Sequence, residues 1–104
     1  MAQLIHSEPI CQQARYDIAD AMRRHARETD LVGRAKPTGL VEALHLASTV
    51  PTCAENLEQA AEWVKALLRR AGIRKSHQGE ALSVLNAYWR LAEHDTARGR
   101  YPAA

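Results

Sequence analysis

Two apolar runs of helical period meet at a single glycine, in the stretch Leu67-Leu68-Arg69-Arg70-Ala71-Gly72-Ile73-Arg74-Lys75-Ser76. Glycine enters the left-handed backbone region without a Cβ clash, so it terminates helices, and an apolar residue just after it packs back on the last turn in a Schellman stop. Gly72 is the predicted end of one helix, with Ile73 folding back on Leu68, and Ser76 is the expected cap of the next. Two amphipathic helices joined by so short a turn lie side by side, which predicts an antiparallel hairpin.

Upstream, Pro51 forbids a smooth helix, and Thr52-Cys53-Ala54-Glu55 has the T-x-x-E pattern of a capping box. A third helix is therefore expected from Thr52, with Leu57, Ala61, Val64, Leu68 and Ala71 as its packed seam. Glu55, Glu58 and Glu62 stand near its start and Lys65, Arg69 and Arg70 near its end, the order the helix macrodipole favours. The second helix opens at Thr38 and is apolar over more than half its wheel, through Leu40, Val41, Ala43, Leu44, Leu46, Ala47 and Val50, leaving Glu42, His45 and Thr49 for water. Between Leu31 and Thr38, Gly33 and Pro37 mark a connector.

A first helix is predicted from about Glu8, after the cap Ser7 and the first-turn Pro9, to Thr29. Ile10, Cys11, Ala14, Ile18, Ala21 and Met22 share its narrow apolar face, and His25 falls inside it as a core or interface histidine. The far side carries Tyr16, Arg23 and Arg27 with Asp20 beside them, either an exposed recognition stripe or a solvated face supported by pairing of Asp20 with Arg24. In the fourth helix Ala81, Leu82, Val84, Leu85, Tyr88, Trp89, Leu91 and Ala92 face inward, while Ser83, Asn86, Arg90, Glu93 and His94 face outward. Residues 1–6 and 96–104 are expected to fray. The sum is one all-α domain over residues 1–104: a compact four-helix bundle whose third and fourth helices form the hairpin, with the first two packed over it.

At 104 residues the chain buries a modest core, built without Phe from two Trp, three Tyr and many Leu and Ala. Its 14 basic and 12 acidic residues leave a net charge of +2, too small for a chain made mainly to hold a polyanion. A local patch is needed for that, and Arg69, Arg70, Arg74 and Lys75 supply one, able to meet an acidic protein surface or nucleic acid. As a helix-turn-helix, however, the fourth helix would turn Glu80 and Glu93 toward phosphates.

Chemistry is sparse. Cys11 and Cys53 have no C-x-x-C spacing and are expected to be reduced thiols. Cys53, in the first turn of the third helix, is the better candidate for reactivity, but it has no histidine partner. The five histidines form no H-x-x-x-H or H-E-x-x-H pattern, and no glycine loop for phosphate is present. We expect no metal, no cofactor and no catalysis. No apolar run suits a signal peptide or a bilayer span, which predicts a cytoplasmic protein. What stays in excess is apolar surface, with Trp63, Leu67, Val84, Tyr88 and Leu91 near one side of the hairpin. They are the expected contacts of a homodimer or of a larger regulatory protein, as in an antiactivator or an inhibitor that sequesters its target. The alternative is a small DNA-binding regulator using the basic turn at residues 69–77.

Overall fold

The local signals just described yield four helices in the computed structural model, which describes residues 10–32 and 38–101. These are α1 (Gln12–Val32), α2 (Thr38–Ala47), α3 (Leu57–Arg70) and α4 (Lys75–Ala97). The chain adopts the expected all-α four-helix architecture, with α3 and α4 packed together as the hairpin. α2 touches the other three helices and α1 packs on α2 and α4, whereas α1 and α3 make no close approach among the described residues. One core holds the bundle together: Ile18 and Met22 from α1, Leu44 from α2, Val64 and Leu68 from α3, and Leu85 and Trp89 from α4. Ala14, Ala26, Ala43, Ala47, Ala60 and Ala81 are fully buried between them. Small side chains at those positions let helix axes approach closely, and Trp89 fills the space that remains.

The hairpin turn is the predicted Schellman stop. The Ile73 amide donates to the Leu68 carbonyl at 3.0 Å and the Gly72 amide to that of Arg69 at 3.1 Å. Gly72 has φ +77° and Ile73 is buried. The start of α4 departs from expectation. Its N-cap is Arg74, not Ser76, and Arg74 makes no side-chain capping bond. Instead the Gln78 side-chain amide donates to the Ile73 carbonyl at 2.7 Å and helps hold the turn closed.

The expected capping box at Thr52–Glu55 does not form. α2 ends in a tight descent in which the Cys53 and Ala54 amides both donate to the Val50 carbonyl, at 2.9 and 3.1 Å, so those amides are satisfied without a helix. From α1, the Arg15 guanidinium donates to the carbonyls of Ala54 and Glu55 and holds this segment non-helical. The helix starts four residues later, at a second box with the same logic. Asn56 Oδ1 accepts from the Gln59 amide at 2.8 Å, and Gln59 Oε1 accepts from the Glu55 amide at 2.7 Å. Asn56→Ala is therefore expected to cost about 1 kcal/mol while Thr52→Ala stays within about 0.5 kcal/mol. Chemical denaturation of the two variants checks the order, and the reverse order would restore Thr52 as the cap.

The register of α3 follows this later start. Ala60, Val64 and Leu68 are buried, Leu57 and Ala61 are half-buried, and Ala71, expected on the seam, is an exposed C-cap. In α1 the predicted apolar face is correct, but Ile10 and Cys11 precede the helix and its end lies at Val32 instead of Thr29, since no helix breaker occurs before Gly33. Ser7, Glu8 and Pro9, residues 1–6 and 102–104 of the tails expected to fray, and Gly33 and Pro37 of the connector lie outside the described residues.

The predicted fraying from residue 96 is corrected over its described part. α4 ends in a second Schellman stop: Gly99 has φ +82°, the Arg100 amide donates to Asp95 at 2.8 Å and that of Gly99 to Thr96 at 3.0 Å. The chain then returns to the bundle, where Tyr101 packs against the core and its hydroxyl donates to Asp17 of α1. That hydrogen bond, with burial adding to it, raises the Tyr101 pKa from 10 to about 12. The neutral phenol is thus favoured in the folded state. Its contribution is intact below about pH 10 and is lost as pH rises toward 12. Stability of the wild type should fall across this window, and Tyr101→Phe should lack that component of the fall in alkaline denaturation curves.

Candidate protein interface

Of the five apolar residues expected at an interface, two stand in solvent. Trp63 is 44% exposed on α3 and Leu91 is 53% exposed on α4. Leu67, Val84 and Tyr88 are half-buried and pack against the core. Tyr88 meets the His25 ring edge-on at 6.2 Å between centroids, and its hydroxyl lies 3.4 Å from His25 Nδ1. His25 is thus accounted for as a half-buried, partnered histidine. Tyr88 and Leu91 line a shallow groove of about 170 Å³ against Asp17, Ile18 and Arg24 of α1. Trp63 and Leu67 belong to α3, on the helix that α1 does not reach. The five residues therefore divide between an α1–α4 groove and the outer side of α3.

That outer side has a regular plan. Trp63, Ala66, Leu67 and Arg70 recur at i, i+3, i+4 and i+7, the spacing of one helical stripe. Arg69 and Arg70 close the helix and face its negative end. Arg74 and Lys75 follow at the opposite kind of terminus, the positive start of α4, so the macrodipole accounts for the first two cations and opposes the other two. All four are exposed, and none pairs with an acidic side chain among the described residues.

Other expected sites are rearranged. Glu93, assigned to the outer face of α4, is only 9% exposed. One carboxylate oxygen meets Arg90 at 3.3 Å and the other has no hydrogen-bond partner. The acidic face that argued against nucleic acid is therefore reduced to Glu80. Asp20 pairs with Arg23 at 3.0 Å, one residue short of the Arg24 expected. Cys53 lies in the turn before α3 and not in its first turn, exposed and with Sγ 4.0 Å from the Thr49 carbonyl; Cys11 is half-buried, and both are free thiols. Among the described residues, no three His, Cys, Asp or Glu side chains converge as a metal site. Nor is any helix there long and apolar enough to cross a membrane. Arg15, which the sequence did not single out, proves central: besides holding two carbonyls it lies 5.7 Å over the Trp89 ring and ties α1 to α4.

Fold and surface define a four-helix domain with an exposed tryptophan on α3 and a cationic hairpin tip whose charges meet no acidic side chain among the described residues. No known family model, curated protein or solved structure matches the chain.

Because Trp63 and Leu91 contribute so little to the core, replacing both by Glu is expected to leave the helical circular dichroism intact and stability within about 0.5–1 kcal/mol. Unfolding of the double variant would place either side chain in the core.

Proposed function

We propose that this chain is a small non-enzymatic, protein-binding regulator, an antiactivator or inhibitor that sequesters a larger regulatory protein. The observation that carries the reading is the side of α3 on which Trp63, Ala66 and Arg70 stand exposed, with Leu67 half-buried beside them. A tryptophan with an alanine at i+3 and an arginine at i+7, all exposed on one side of a helix, has the spacing of anchors on a helix laid into a partner's groove. Tryptophan and arginine are the side chains that concentrate binding energy in such contacts. The cations Arg69, Arg70, Arg74 and Lys75 at the end of the stripe favour a partner whose groove has an acidic rim. Affinity capture tests this. Protein retained from native lysate by the wild type should be lost with Trp63→Ala plus Arg70→Glu and kept with Tyr16→Ala; capture indifferent to the α3 changes would overturn the reading.

Duplex DNA is the rival partner, favoured by the four unpaired cations and by the inward turn of Glu93. Against it, the cations cluster at the tip of a hairpin and do not run along a helix face able to lie in a major groove. Retention on duplex DNA that falls steeply with salt, and is abolished by Arg74→Glu with Lys75→Glu, would favour the rival.

A further inference from the structure

On the solvent side of α3, Glu62 and Arg70 stand at equal distances to either side of Ala66, and so do Trp63 and Arg69. The exposed residues of this side are Glu58, Glu62, Trp63, Ala66, Arg69 and Arg70, acids before the tryptophan and bases after the alanine. At about 100° and 1.5 Å per residue, Glu62 and Arg70 lie about 40° to opposite sides of Ala66 and about 6 Å from it along the axis. Trp63 and Arg69 lie about 60° to opposite sides and about 4.5 Å away. A two-fold axis normal to α3, passing between two antiparallel copies at the level of Ala66, therefore brings position 70 level with position 62 of the other copy and position 69 level with position 63.

We propose that this face binds a second copy of the same chain. Two α3 helices pair antiparallel across a two-fold axis at Ala66, which sets Glu62 against Arg70 of the partner subunit and Trp63 against Arg69 of the partner subunit. The proposal rests on α3 being the binding face and names an occupant for it. A two-fold interface makes every contact twice, so the two pairings become four, two between opposite charges and two of a guanidinium on an indole. Ala66 at the axis allows close approach. The macrodipole explains why acids precede bases along α3, but it does not explain an indole left bare between them. The internal competitor is weak: Glu62 meets Lys65 at 3.4 Å between two exposed side chains, an arrangement worth little in water. A contact made by one 14-residue helix falls short of the roughly 800 Å² per partner of stable complexes. The dimer is accordingly weak, with a dissociation constant on the order of tens of micromolar, and it loosens with salt.

Sedimentation of the full chain from about 10 to about 500 µM, bracketing that constant, tests the pairing. The wild type should pass from monomer to dimer. Glu62→Arg and Arg70→Glu should each weaken association at least about tenfold, because each sets like charges together twice. An equimolar mixture of these two variants should recover it, since the mixed dimer restores both opposite-charge pairs. A wild type that stays monomeric throughout, or a mixture that stays monomeric while the wild type associates, would overturn the proposal. If the wild type is monomeric and the α3 substitutions still abolish capture of a larger protein, the two-fold pairing fails while the binding face stands. Should a charge variant lose its helical circular dichroism, Ala66→Glu puts like charges on the axis itself: loss of the dimer with helicity retained supports the pairing, and unchanged association overturns it.

Discussion

Trp89→Ala is expected to remove about 3–5 kcal/mol of stability, enough to leave much of the chain unfolded at physiological temperature if the domain has an ordinary total of about 5–15 kcal/mol. Trp89 is 1% exposed, the largest fully buried side chain described, and is covered by the Arg15 guanidinium. Its truncation opens a cavity in a core rich in alanines, which have no rotamers with which to refill it. With Trp63 remaining as the fluorophore, the urea midpoint should fall by about 2 M, while Trp63→Ala moves it little. Equal shifts for the two tryptophans would mean that the core has been misassigned.

Gly72→Val should cost about 1–3 kcal/mol, a drop in melting temperature on the order of 5–15 °C for a domain of this size. The cause is conformational, not steric crowding: a Cβ at residue 72 meets nothing within 4 Å, but the backbone stands at φ +77°, which a β-branched residue strongly resists. Gly79 is the internal control. It lies inside α4 with equally open space and no positive φ, so Gly79→Ala should stabilise by about 0.5–1 kcal/mol. Thermal melts of the two variants should move in opposite directions. An unchanged melting temperature for Gly72→Val would remove the Schellman stop from the account of the hairpin.

The candidate interface was only partly legible. Periodicity marked Trp63 and Leu91 as edge residues, and both are exposed. It could not separate them from Leu67, Val84 and Tyr88, which differ from them by a few tens of degrees on the helical wheel and pack against the core. The direction of that last increment depends on where the neighbouring helices lie. Glu93 shows the same limit, since a carboxylate beside an arginine reads as solvated until the position of the helix within the bundle buries it.

Sequence alone determined what depends on neighbours within a turn or two. The helical period of the apolar residues, the break near Pro51 and the stop at Gly72 are set by backbone sterics and hydrogen bonds that close within about six residues. Tertiary structure decided among local options of nearly equal energy. T-x-x-E at residues 52–55 and Asn56 with Gln59 are both plausible helix starts, and Arg15, about forty positions away in the chain, holds the carbonyls of Ala54 and Glu55 so that the later one is used. Gly99 ends α4 with φ +82°, but nothing local keeps the chain beyond it ordered. The Tyr101–Asp17 bond does so, joining residues 84 positions apart. Contacts of this range are invisible to periodicity because their loop-closure cost is met only when the whole core assembles.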